Sequence, residues 1–108
     1  MKLDLKEFIK ELAQHFFRGA DGSRYEQIQN GATFTPTHDG WARVMASTIG
    51  GNTYPPVVNI LQSNGVIGSG TGITYGGSKL FAFAPVKAGL IYSIDLYRCT
   101  LDDIIIFY

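Results

Sequence analysis

Residues 65–77 read GVIGSGTGITYGG. Six of these thirteen residues are glycine, and how they are read decides the fold. Glycine-rich stretches hold phosphates when they lie between a strand and a helix, with the anion on the helix N-terminus. Here Gly68-Ser69-Gly70-Thr71-Gly72 runs into Ile73-Thr74-Tyr75 and another glycine pair, residues that favour a strand and open no helix. A Walker-type loop ends in Gly-Lys-Ser/Thr, and Gly77-Ser78-Lys79 has that order wrong. The stretch is therefore expected to be a strand of little bulk between turns at Asn64-Gly65 and Gly76-Gly77. Such a strand admits a bulge or the close approach of another backbone.

The same punctuation extends along the chain. Turn signals stand at Asn30-Gly31, Asp39-Gly40, Gly50-Gly51-Asn52, Ala88-Gly89 and Asp102-Asp103, with β-branched and aromatic runs between them. This spacing predicts an all-β sandwich or barrel. Strands are expected at about 24–29, 32–36, 41–49, 57–62, 66–75, 79–86, 90–98 and 103–108. No helical period separates them, so parallel βαβ units are excluded. Leu90, Tyr92, Ile94 and Leu96 alternate with Ser93 and Asp95, as in a half-buried strand. KLFAFAPV (79–86) and DIIIFY (103–108) instead carry apolar residues on both faces.

Residues 1–18 have a different character. Leu5, Phe8, Ile9, Leu12 and Phe16 form one apolar stripe at helical spacing. Asp4 and Glu7 stand in a variant capping box, and Leu3 and Phe8 at the positions of a hydrophobic staple. An amphipathic helix of three to four turns is marginal alone. Three destinations are open to it: its own domain, copies of itself in a short coiled coil, or a larger assembly. The expected organisation is this helix at 1–18, then one β domain at 23–108.

Composition bounds the function. The chain has 108 residues, enough for one core, with nine basic and nine acidic side chains. The balance leaves no electrostatic footprint for nucleic acid, and no apolar run reaches the ~18 residues of a membrane span. Charged residues are 17%, against an ordinary ~25%. None occurs in the thirty-five residues from Val44 to Ser78. Interface cores are depleted of charge in this way. Together with the two-sided strands, this predicts a homo-oligomer. Its expected contacts are Leu5, Ile9, Leu12 and Phe16 on the helix and Phe81, Phe83, Ile105 and Phe107 on the strands.

No catalytic, cofactor or metal constellation is expected. His15 flanks the helix stripe. His38 and Asp39 read as a turn. Cys99, the single cysteine, reads as a small buried residue. Asp102-Asp103 reads as a turn opening the last strand, and adjacent carboxylates on a strand would face opposite ways. Trp41, Tyr54 and Tyr75 are the candidates for stacking on a sugar.

Two stretches carry a family resemblance: ATFTPTHDGWARV (32–44) and FAFAPVKAGLIYSI (81–94). In that order they resemble the small jelly-roll domains of tailed-phage fibre and head-decoration proteins, which are similar to complement C1q and tumour-necrosis-factor domains and commonly trimeric. The segment around Pro36 is longer than the compact form of that motif. The resemblance implies a jelly-roll-like sandwich in a virion homotrimer, whose helix trimerises it or anchors it to other virion proteins. Its loops would face host-surface glycan. The alternative is a stand-alone carbohydrate- or peptide-binding β-sandwich module, cytoplasmic or secreted from a bacterium.

Overall fold

The computed structural model describes residues 23–51 and 54–108. The expected helix, with Leu5, Ile9, Leu12 and Phe16, lies outside the described residues. The described chain is all β, and its eight strands fall close to the expected ones: β1 Tyr25–Ile28, β2 Thr33–Phe34, β3 Gly40–Thr48, β4 Val57–Gln62, β5 Gly65–Thr71, β6 Lys79–Val86, β7 Tyr92–Tyr97 and β8 Cys99–Phe107. They form two antiparallel four-stranded sheets: sheet A in the order β1-β8-β3-β6 and sheet B in the order β2-β7-β4-β5. First pairs with last, second with seventh, third with sixth and fourth with fifth. That is one long ribbon with its tip at the β4–β5 turn, wrapped so that β8 also meets β3 and β7 meets β4.

The tip is a two-residue turn, with Ser63 and Asn64 both at positive φ. This is the hairpin geometry whose twist matches that of its strands. Between β7 in sheet B and β8 in sheet A a single residue, Arg98 at φ 57°, carries the chain from one sheet to the other.

The core lies between the sheets. Phe34, Val58, Ile60 and Tyr92 face inward from sheet B, and Phe34 stacks on Tyr92 at 5.5 Å. Sheet A contributes Val44, Leu80, Val86, Ile104 and Ile106, with Ala42, Ala46, Ala82 and Ala84 between them. Cys99 is buried in the same core as expected, its Sγ directed at the Val57 carbonyl at 3.4 Å. Burial pushes its thiol up in pKa.

The inward face of β3 and β6 is thus built mainly from small residues, and the glycines of β5 explain why. A Cβ placed on Gly70 would lie 1.7 Å from the Phe81 carbonyl oxygen, and one on Gly68 would lie 2.3 Å from that of Phe83. At this edge of the sandwich β5 rests on the backbone of β6. Alanine and glycine let the sheets meet there.

Three expectations need correction. β5 ends at Thr71, before the expected 75: the bond from Gly72 N to the Pro56 carbonyl is the last of its ladder with β4, because Pro55 and Pro56 have no N–H to return, and residues 73–78 form a loop. β7 begins at Tyr92, leaving Leu90 outside it, because Gly89 at φ 81° makes the preceding turn. Asp102-Asp103 is not a turn but lies within β8, which begins at Cys99.

Candidate functional site

The outward faces of the two sheets differ in chemistry. Sheet B presents Thr33, Ser93, Asp95, Asn59, Ser69 and Thr71, with Val57, Leu61, Val66 and Tyr97 between them. Ser69 Oγ donates to Asn59 Oδ1 across it. Sheet A presents its bulky residues outward, in rows set by the strand register. Tyr25, Phe107, Trp41 and Pro85 make the first row. Gln27, Ile105, Arg43 and Phe83 make the second, and Asp103, Met45 and Phe81 the third. Thr100, Ser47 and Lys79 close the far end.

The first three rows are predominantly aromatic and aliphatic. Tyr25 is 68% exposed, Phe83 55%, Trp41 43% and Phe81 41%. The Phe81 and Phe83 rings lie side by side with centroids 6.4 Å apart. An aromatic side chain presents ~150–250 Å² when wholly accessible, so these four leave several hundred Å² of apolar surface. That is at the upper end of what a soluble monomer leaves bare.

Charge enters this face only as pairs. Arg43 Nη2 donates to Asp103 Oδ1 at 2.8 Å, and its guanidinium lies over the Phe107 ring at 5.9 Å. Arg43 Nε is buried and has no hydrogen-bond partner among the described residues. At the far end Asp102 Oδ2 accepts from Ser47 Oγ and from Lys79 Nζ, the latter at 2.9 Å.

A β-bulge makes both pairs possible. Met45 is opposite Asp103 and Ala46 is opposite Leu101, so Asp102 is the extra residue. The bulge turns both aspartates to the outer face while keeping Leu101 and Cys99 against the core. Strict alternation would have faced one of the aspartates inward. Asp102 carries a lowered pKa because Ser47 and Lys79 hydrogen-bond its charged form. Burial pushes the Glu26 carboxyl up, but hydrogen bonds from the Thr37 hydroxyl and amide, with His38 beside it, outweigh this and leave it lowered.

Both shifts carry the same sign for stability. The unfolded chain binds these protons first, so the contribution is complete above the ordinary carboxylate range near ~4 and is lost as pH falls below it. Asp102→Asn and Glu26→Gln are each expected to flatten the acid limb of a stability–pH curve. Urea midpoints measured from neutral to acid pH would check this, and a limb as steep as the parent's would contradict it.

The structure thus brings Phe81, Phe83, Ile105 and Phe107 together on one face and adds Trp41 to them. Tyr25, Met45 and Pro85, missed in the sequence reading, complete the patch. A signal for Met45 was present in β3, where Trp41, Arg43, Met45 and Ser47 alternate with Ala42, Val44 and Ala46. The other stacking candidates do not join Trp41. Tyr54 and Tyr75 lie in loops at the opposite end, where Arg98 reaches over Tyr97 at 5.1 Å and Tyr54 at 5.9 Å.

A concavity of about 380 Å³ lies at the Trp41 end, lined by Asp39, Gln62, Pro85, Val86, Lys87, Leu90 and Tyr92. Its polar groups also serve the fold: Asp39 Oδ1 accepts from Ala88 N and Tyr92 Oη accepts from Lys87 N, each at 2.8 Å. Nearby, His38 stacks on Tyr108 at 3.7 Å. Among the described residues no group of three or more His, Cys, Asp or Glu side chains could hold a metal ion. Comparison with protein-family models, with curated proteins and with solved structures found no match.

Proposed function

We propose that this chain is a non-enzymatic structural protein of a bacteriophage virion, a short fibre or decoration protein that assembles as a homotrimer. The observation that carries this reading is the outer face of sheet A. A sandwich buries one face of each sheet, and here the other face of sheet A is rich in aromatic rings while that of sheet B mixes polar residues with Val57, Leu61, Val66 and Tyr97. A second copy of the chain is the partner such a face suits.

The strand order supports the jelly-roll part of the reading. A ribbon pairing first with last and wrapped into two four-stranded sheets is the jelly-roll arrangement. The two stretches that carry the family resemblance also form one unit. Asp39 accepts from Ala88 N, Pro36 O accepts from Gly89 N at 3.0 Å, and β3 pairs with β6 along its length. Three copies on one particle repeat any weak site, and repetition multiplies avidity without new contacts. The loops bearing Tyr54 and Tyr75 would then meet host-surface glycan.

Sedimentation equilibrium of the full chain at micromolar concentration tests the assembly. A trimer is expected, and a single copy across that range would overturn the reading. The Arg98–Tyr54–Tyr97 cluster favours a second reading, a monomeric carbohydrate-binding module. A monomer that binds immobilised glycan and loses it with Tyr54→Ala would establish that instead.

A further inference from the structure

We infer that the concavity at the Trp41 end is a binding site for one neutral sugar residue, separate from the loops that carry Tyr54 and Tyr75. The site rests on the geometry of the sandwich and not on the assembly reading above.

The site is built before any ligand arrives. Its rim is the turn from β6 to β7, and all four amides of that turn are held. Lys87 N donates to Tyr92 Oη and Ala88 N to Asp39 Oδ1, each at 2.8 Å. Gly89 N donates to the Pro36 carbonyl at 3.0 Å, and Leu90 N to that of Lys87 at 3.4 Å. Gly89, at φ 81°, lets the turn close. The tip of the ribbon adds Gln62, the last residue of β4, just before the Ser63-Asn64 turn. A site held in this way loses little affinity to ordering itself.

Hydrogen-bonding capacity remains after the fold is satisfied. A phenol both donates and accepts. Tyr92 uses only its oxygen, and no described residue accepts its proton. That group lies deep, since Tyr92 is 2% exposed and stacks on Phe34. Asp39 Oδ2, the Gln62 amide and Lys87 Nζ likewise have no hydrogen-bond partner among the described residues. Pro85, Val86 and Leu90 make the rest of the lining apolar. The volume of about 380 Å³ falls at the small end of ligand sites, which run to ~300–1,000 Å³.

These groups select the ligand. One free carboxylate and one free ammonium cancel, so the site favours a ligand without net charge. Its deepest group, Tyr92 Oη, is neutral and lies among buried apolar side chains, where an ion would lose its hydration without an ionic partner. The ligand must therefore bring a neutral acceptor to Tyr92. It must also offer donors to Asp39, acceptors to Lys87 and both to Gln62. A hydroxyl does each of these. A pyranose carries several around its rim and C–H groups on its faces, and those faces suit Pro85 and Leu90. An amino acid zwitterion would meet Asp39 and Lys87 but offer Tyr92 only an ion.

Titration of the isotope-labelled full chain with the methyl glycosides of glucose, galactose, mannose and N-acetylglucosamine, followed by amide chemical shifts, tests the site. At least one glycoside should move the signals of Gln62, Lys87, Ala88 and Leu90 saturably and leave those of Tyr54 and Tyr75 in place. Gln62→Ala/Lys87→Met removes two ligand contacts and no hydrogen bond made by a side chain to the fold. It should weaken binding by about tenfold or more while melting as the parent does. Tyr54→Ala should bind as the parent does. No shift with any glycoside up to high millimolar concentration would overturn the inference. Binding lost with Tyr54→Ala and kept in the pocket variant would overturn it too, and would place the sugar at the opposite end. So would saturable shifts of the same signals with L-leucine and none with the glycosides, which would make the occupant an amino acid. Sedimentation reads the oligomeric state separately, so failure of the assembly reading stays distinct from failure of the site.

Discussion

Gly70→Val is expected to cost the protein a large share of its stability. The contact that valine would violate is with backbone. A Cβ at position 70 meets the Phe81 carbonyl oxygen at 1.7 Å, the Phe81 carbonyl carbon at 2.6 Å and Ala82 N at 3.3 Å. No rotamer relieves this, because the first side-chain atom is itself the clash. Ordinary overpacking of a core costs ~1–3 kcal/mol, relieved in part by side-chain shifts. Here β5 would have to separate from β6, so at least ~3 kcal/mol is expected against a total of ~5–15 kcal/mol. For a domain of this size that lowers the melting temperature by roughly 12–24 °C. Gly65→Ala is the control. Its Cβ would find only the Gln62 carbonyl, at an ordinary 3.5 Å. Its effect should stay within about 0.5 kcal/mol. Thermal melts followed by far-ultraviolet circular dichroism would distinguish the two, and equal melting temperatures would show that β5 does not rest on β6.

The sequence reveals the glycines of β5 as structural but not what they approach. A strand without side chains announces a near neighbour; only the fold identifies it as the edge of the opposite sheet. Strand positions were legible because glycine and Asx-Gly turns punctuate the chain at short intervals. Pairing order was not, since the contacts that fix it join residues far apart, as Ile28 and Ile104 are joined.

The two-sided strands show a more specific limit. In β6, Leu80, Ala82, Ala84 and Val86 compete with Phe81 and Phe83 for the interior, and hydrophobicity alone favours the phenylalanines. The smaller set faces inward because the sheets approach too closely there for rings. Residue size, set beside the glycines of β5, was the informative signal. The Asp102-Asp103 pair misled for a related reason. Two adjacent carboxylates suggest a turn, yet a single extra residue in β8 places both on the outer face, beside Lys79 and Arg43.

Phe81→Asp/Phe83→Asp is expected to abolish self-association while leaving the fold in place. Both side chains point away from the core, and their inward neighbours Leu80, Ala82, Ala84 and Val86 are untouched. The substitution removes two rings from a face whose apolar contact is what an assembly would bury. It also adds two carboxylates beside Asp103, across β3. A carboxylate carried into a dry interface without a partner is strongly unfavourable. Arg43 is already engaged by Asp103, and Lys79 by Asp102, so neither is available to neutralise both. Removing a central aromatic anchor commonly costs ~2 kcal/mol or more of binding, and the double change should move association out of the micromolar range. Sedimentation should then find single copies, with a circular dichroism spectrum like the parent's. The matching change on the opposite face, Asn59→Asp/Ser69→Asp on sheet B, should leave association unaltered. If instead the sheet A variant still assembles and the sheet B variant does not, the outer face of sheet B is the one that copies share.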